Sequence, residues 1–156
     1  MSLLEDHLKW LNLHQEATLE PERPIVDPHH HFWPGEQHYL LEDLWLDTHS
    51  GHNIKKTVFI ECSQEFLKTG DIDFAPVGET IFVKKISDEA RKEKHKTQIE
   101  GIVGHVNLLI GPEKTHEVLT SHLKEGGNLF KGIRHCLLYT SPSPRDRTRS
   151  RMPSSA

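Results

Sequence analysis

The chain has 156 residues, enough for one domain with its own core. It is short of the roughly 250 residues that a complete (β/α)8 barrel uses. Its formal net charge of −4 gives no general attraction to nucleic acid or to an anionic membrane. No run is apolar and long enough to span a bilayer. The N-terminus, MSLLEDHLKW, carries acids early and lacks a basic-then-apolar signal pattern. Cys62 and Cys136 are far apart and form no CxxC, as suits reduced thiols. These features predict a cytoplasmic protein with no nucleic-acid or membrane partner; they do not specify an oligomeric state.

Leu4, Leu8 and Leu11 repeat at helical spacing and predict an amphipathic helix over 3–15. Pro21 and Pro24 end this N-terminal unit of 1–23. The next segment, Ile25-Val26-Asp27-Pro28-His29-His30-His31-Phe32, reads as a strand closed by a Pro34-Gly35 turn. A helical turn is expected around 40–46. Thr57 to Cys62 is β-branched and continuously apolar until Glu61, a second strand. Pro76 opens a helix that runs toward Lys94, with Ile81, Phe82 and Ile86 on one side. Ile99 to Asn107 is a third strand. Pro112 opens another helix, with Val118, Leu119 and Leu123 as its apolar face, and Gly126-Gly127 ends it. Phe130 to Leu137 is a fourth strand.

The order is β-α-β-α-β-α-β, with strands that read as apolar runs. Both features predict parallel strands buried on both faces. Right-handed crossovers then build either an open doubly wound sheet or part of a barrel. No Gly-rich phosphate turn follows the first strand, which disfavours a dinucleotide-binding sheet. From Thr140 the composition changes: apolar residues nearly vanish, and Arg145, Arg147, Arg149 and Arg151 face only Asp146. Residues 139–156 are expected to be a disordered Ser/Pro/Arg-rich tail. Its abrupt start after a core strand favours translated adaptor or vector read-through over a native RNA-binding or phosphorylated segment.

The chemistry concentrates on the first strand. Successive strand residues point to opposite faces, so His29 and His31 share one face and His30 turns away. Two imidazoles about 7 Å apart along a strand can converge on one divalent ion, and neutral imidazole is a common ligand for zinc and similar metals. Asp27 has the same parity and could orient a histidine from behind. The plain alternative is a pair of ordinary strand histidines. Position favours the ligand pair, because the triplet sits at the C-terminal end of its strand, where barrel enzymes place their reactive groups. Glu61, an acid on an apolar strand, is either a pocket acid or half of a structural pair. Phe32 and Trp33 either wall the pocket or pack the core. His105 and His135 are strand residues outside the predicted ligand set.

Val26 to Trp33 resembles the first-strand signature of the amidohydrolase superfamily. The similarity is to its amidohydrolase-related branch, which holds fuconolactonase-like and pyrone dicarboxylate lactonase-like enzymes. Pro76-Val77-Gly78-Glu79-Thr80 with Phe82-Val83, Gly101-Ile102-Val103-Gly104 and Lys131-Gly132-Ile133-Arg134-His135 agree in order with later segments of that branch. The resemblance covers about residues 24 to 137. It implies a TIM-like barrel, of which 24–138 holds about the first four β/α units. It also implies hydrolysis of a lactone or other cyclic ester or amide, by metal- or histidine-assisted attack of water on the carbonyl. His29 and His31 match the two first-strand residues, as ligands of Zn or Mn or, in metal-independent relatives, as direct partners of the carbonyl. Arg134 matches a strand-end arginine that holds a substrate carboxylate, its alternative being a rim salt bridge. The family also uses later-strand histidines and a last-strand aspartate, so 1–156 alone is expected to be inactive. The competing readings are a non-catalytic metal-binding or interaction fragment and an Arg-tail RNA binder.

Overall fold

A computed structural model describes residues 9, 10, 13, 16–36 and 38–135. The rest of the helix expected over 3–15, the end of the fourth strand at Cys136 and Leu137, and the tail 139–156 lie outside the described residues. Four strands, β1 (Pro24–His30), β2 (Asn53–Ile60), β3 (Gln98–Gly104) and β4 (Phe130–Ile133), form one sheet in the order β1-β2-β3-β4. Every pairing is parallel. The strand order never reverses, unlike a doubly wound sheet, whose order reverses at its switch point. The chain is thus an α/β protein with a singly wound parallel sheet. Among the described residues no helix is long and apolar enough to cross a membrane.

Three helices make the connections: α1 (Leu41–Thr48), α2 (Val77–Ala90) and α3 (Pro112–Gly126). Asp43 closes the first turn of α1 by accepting the Leu40 N–H at 2.9 Å. Pro112 occupies the first turn of α3, where a missing N–H costs nothing, and Gly127 ends the helix at φ 53°. The inward residues of the helices meet one set of strand side chains. Leu44 and Trp45 of α1 and Val83 and Ala90 of α2 share a cluster with Phe59, Ile99, Ile102 and Phe130. Phe32, just past β1, stacks on Phe59 with ring centroids 5.8 Å apart. The opposite face carries Val58, Ile60 and Val103, each only half-buried. We call it the open face.

Two apolar faces differ from the pattern read in the sequence. On α2 the buried line is Val83, Ser87 and Ala90, while Ile81, Phe82 and Ile86 flank it, half-buried. On α3 the buried line is Val118, His122 and Gly126, and Leu123 is 55% exposed. The reason is polar satisfaction. His122 accepts the Thr80 hydroxyl at Nδ1 (2.8 Å), donates from Nε2 to the His105 carbonyl (3.0 Å) and stacks on Phe130. Burial holds its pKa below the ordinary histidine value.

The start of α2 passes very close to the chain entering it. A Cβ on Gly78 would lie 2.4 Å from the Glu65 carbonyl oxygen and 2.6 Å from the Leu67 nitrogen. Backbone atoms cannot yield as a flexible side chain can, so Gly78→Ala is expected to destabilise the fold by about 2–3 kcal/mol. Urea unfolding checks this; an unchanged midpoint would show that the loop relaxes freely.

Candidate functional site

The site is built where the strands end. β1 does not run smoothly into it. Asp27 pairs with Thr57 and His30 with Phe59, so β1 carries one extra residue between these rungs. The Asp27 carboxylate closes the irregularity by accepting the His29 backbone N–H at 3.0 Å. Strict alternation from Asp27 to His31 is therefore interrupted, and Asp27 orients the backbone of His29, not an imidazole as its parity suggested.

His30 turns to the helix side, as expected. It packs edge-on against Phe32 and Phe59, 4.9 and 5.8 Å between centroids. Among the described residues neither of its ring nitrogens has a hydrogen-bond partner, and burial lowers its pKa to about 4. His29 and His31 meet on the other side, with their Nε2 atoms 3.2 Å apart. His31 Nδ1 lies 2.8 Å from the Ile60 carbonyl oxygen. A carbonyl only accepts, so Nδ1 carries the proton and the neutral ring presents its lone pair at Nε2. In this arrangement His29 Nε2–H donates to that lone pair.

The pair fits two corners of a metal site. Two nitrogens each about 2.05 Å from a tetrahedral ion stand about 3.3 Å apart, close to the separation seen here. The Ile60 carbonyl behind His31 is the outer partner that ligating histidines ordinarily have. Among the described residues no group of three His, Cys, Asp or Glu side chains is placed to hold a metal.

The other predicted residues lie along the same rim. Arg134 Nε donates to Glu61 Oε1 at 2.7 Å, and its Nη2 donates to the Glu61 carbonyl at 2.6 Å. Glu61 is fully buried, and its Oε2 has no hydrogen-bond partner among the described residues. The rim salt bridge weighed as the alternative for Arg134 is thus formed. Phe32 is core, at 0% exposure. Trp33, in contrast, helps line a cavity of about 280 Å³ with Gly35, Glu36 and Gln64. Another cavity of about 460 Å³, lined by Glu42, Trp45, Leu46, His49, His95 and Lys96, contains none of the predicted site residues.

Glu79 is a second buried acid, which the sequence reading placed in the helix opened by Pro76 and in a segment of the family resemblance, without a role at the site. Its Oε1 accepts the backbone N–H groups of Cys62 (3.0 Å) and Gln64 (2.8 Å). Burial nonetheless raises its pKa to about 7, against the pull of those bonds. The Cys62 thiol beside it is pushed up to about 12, mainly by burial and then by the Glu79 charge, so it is no nucleophile near neutral pH. No protein-family model, curated protein or solved structure matches the chain.

Glu79 and His30 set opposing pH dependences. Glu79 binds its proton more tightly folded than unfolded, so its contribution is present below pH 4.5 and is lost as pH rises through 7. His30 binds its proton less tightly folded, so its contribution is present above pH 6.5 and is lost as pH falls through 4. Glu79→Gln keeps an acceptor for both N–H groups and removes the first effect. Its unfolding free energy should rise from pH 4.5 to 6.5 by about 2 kcal/mol more than that of the unsubstituted protein. Parallel denaturation curves across that range would remove Glu79 as a titrating group.

Proposed function

We propose that the chain is part of an amidohydrolase-related hydrolase acting on a lactone or other cyclic ester or amide, with His29 and His31 at its reactive centre. The observation that carries this reading is the meeting of the two Nε2 atoms at a strand C-terminus, with the His31 tautomer set by the Ile60 carbonyl. The parallel sheet in sequential order suits the opening arc of a barrel, in which strand C-termini carry the chemistry. A divalent ion bound there would lower the pKa of a bound water and polarise the carbonyl. His29 and His31 would hold it, as Zn or Mn. Without an ion, the His29 Nε2–H would turn from His31 to donate to the carbonyl oxygen, and the His31 Nε2 lone pair would accept from the attacking water. Arg134, held by Glu61, is proposed to face a substrate carboxylate.

The described residues supply two imidazoles and no third ligand near them. We therefore read residues 1–156 alone as a weak metal binder with little or no turnover. Zinc titration of the purified chain should show weak binding, at least tenfold weaker in His31→Ala. Lactone hydrolysis should not exceed the buffer rate. Turnover abolished by both His29→Ala and His31→Ala would show instead that this chain is catalytically sufficient. Zinc binding indifferent to His31 would remove the proposed centre.

A further inference from the structure

The carbonyl that sets the His31 tautomer belongs to Ile60, the last residue of β2. The peptide that follows is tied to the sheet, since the Glu61 N–H donates to the Val103 carbonyl at 2.8 Å. Beyond it the chain turns away. The N–H groups of Cys62 and Gln64 donate to one carboxylate oxygen, Oε1 of Glu79, at 3.0 and 2.8 Å. Ser63, between them, and Glu65, just after, adopt φ 63° and 51°. Non-glycine residues hold that left-handed region only where their surroundings impose it. One oxygen shared by two N–H groups two residues apart is such a constraint.

The turn also reaches the chain leaving β1. Cys62 Sγ lies 3.6 Å from the Phe32 carbonyl oxygen and 3.6 Å from Glu79 Oε1. The same short segment thus flanks His31 twice: Ile60 holds its ring, and Cys62 meets the residue after it. The grip on that segment has a rigid support. Glu79 is 2% exposed and stands in the first turn of α2. That helix is anchored on the sheet by buried Val83 and Ala90, and by Ser87 Oγ, which donates to the Ile99 carbonyl at 3.1 Å. Gly78, beside Glu79, lets the helix close on the same turn at Glu65 and Leu67. A group that orients another must itself be held, and this one is.

We propose that Glu79 is a positioning residue for the reactive pair: by gripping the turn after β2 through two N–H groups, it keeps the Ile60 carbonyl against His31 Nδ1 and so keeps the Nε2 lone pair at the rim. The proposal rests on the hydrolase reading above and brings α2 into a site built so far from strand ends. Glu79 acts through the backbone, not on metal or substrate. Both of its bonds converge on Oε1, and Oε2 has no hydrogen-bond partner among the described residues. One neutral acceptor oxygen at that place therefore suffices for the role.

Zinc is the probe, titrated into ¹⁵N-labelled protein with the histidine ring nitrogens followed by NMR. The unsubstituted protein should show His31 as one tautomer, with its proton on Nδ1. Glu79→Met fills the same space and offers no strong acceptor. It should mix the two His31 tautomers and weaken zinc binding about tenfold, as loss of an outer partner does. Glu79→Asp, one methylene short of the turn, should do the same, and it serves where Glu79→Met does not fold. Glu79→Gln, whose amide oxygen accepts both N–H groups, should restore the single tautomer and most of the affinity. Val83→Ala, in the apolar cluster of the same helix, should lower the urea midpoint and leave both His31 readings unchanged. The proposal falls, and the hydrolase reading stands, if Glu79→Met and Glu79→Asp leave His31 and zinc binding unchanged, if Glu79→Gln loses as much as they do, or if Val83→Ala mixes the tautomers equally. If zinc binding is indifferent to His31→Ala, the hydrolase reading falls and the centre that Glu79 positions falls with it.

Discussion

One extra residue in β1 decides how the rim is built. Between the rungs at Asp27 and His30 the strand gains a residue on its neighbour, and the Asp27 carboxylate stabilises the bend by taking the His29 N–H. In a strand a one-residue slip exchanges the faces of everything beyond it. Here the outcome puts His30 among Phe32 and Phe59 and leaves His29 and His31 on the open face. The reverse parity would bury two imidazoles in an apolar cluster that, among the described residues, already leaves one without a hydrogen-bond partner. The arrangement of the histidines is thus a packing constraint before it is a chemical one.

Much of this was legible in the sequence. Short apolar runs separated by helical periodicity announced parallel strands, and Pro112 and Gly127 marked the ends of α3. The separation of His30 from its neighbours followed from strand geometry alone. The bulge did not, because Asp-Pro-His carries no signal that distinguishes an extra residue from an ordinary rung. On the inward face of α3, Val118 and Leu119 pack as read, but Leu123 was misread for a related reason. Leu123 is the apolar residue, but His122 has a hydroxyl and a carbonyl waiting for it, and those partners come from Thr80 and His105, 42 and 17 residues away in the chain. A polar residue is buried when distant partners satisfy it, and local sequence does not show who they are.

The two buried acids show the same principle with different outcomes. Glu61 sits against a guanidinium and a strand end, so its charge has a near partner. Glu79 has two backbone donors and, among the described residues, no cation beside it, and burial wins over those bonds. Helix α2 thereby begins on a carboxyl that changes charge near neutrality, beside a thiol that does not ionise there. The two residues are 18 apart in sequence and identical in chemistry, and only their neighbours tell them apart.

The strand order has a kinetic consequence. Each strand joins the one made just before it, so the sheet can grow at one edge as the chain leaves the ribosome. No strand has to be inserted between two that are already paired. β1 meets its first partner early and waits with its other edge unpaired among the described residues. Two prolines lie in that strand, at Pro24 and Pro28, and neither has an N–H to offer a stray chain. The residues that shape the approach to the histidines therefore also protect the growing sheet from pairing with the wrong neighbour.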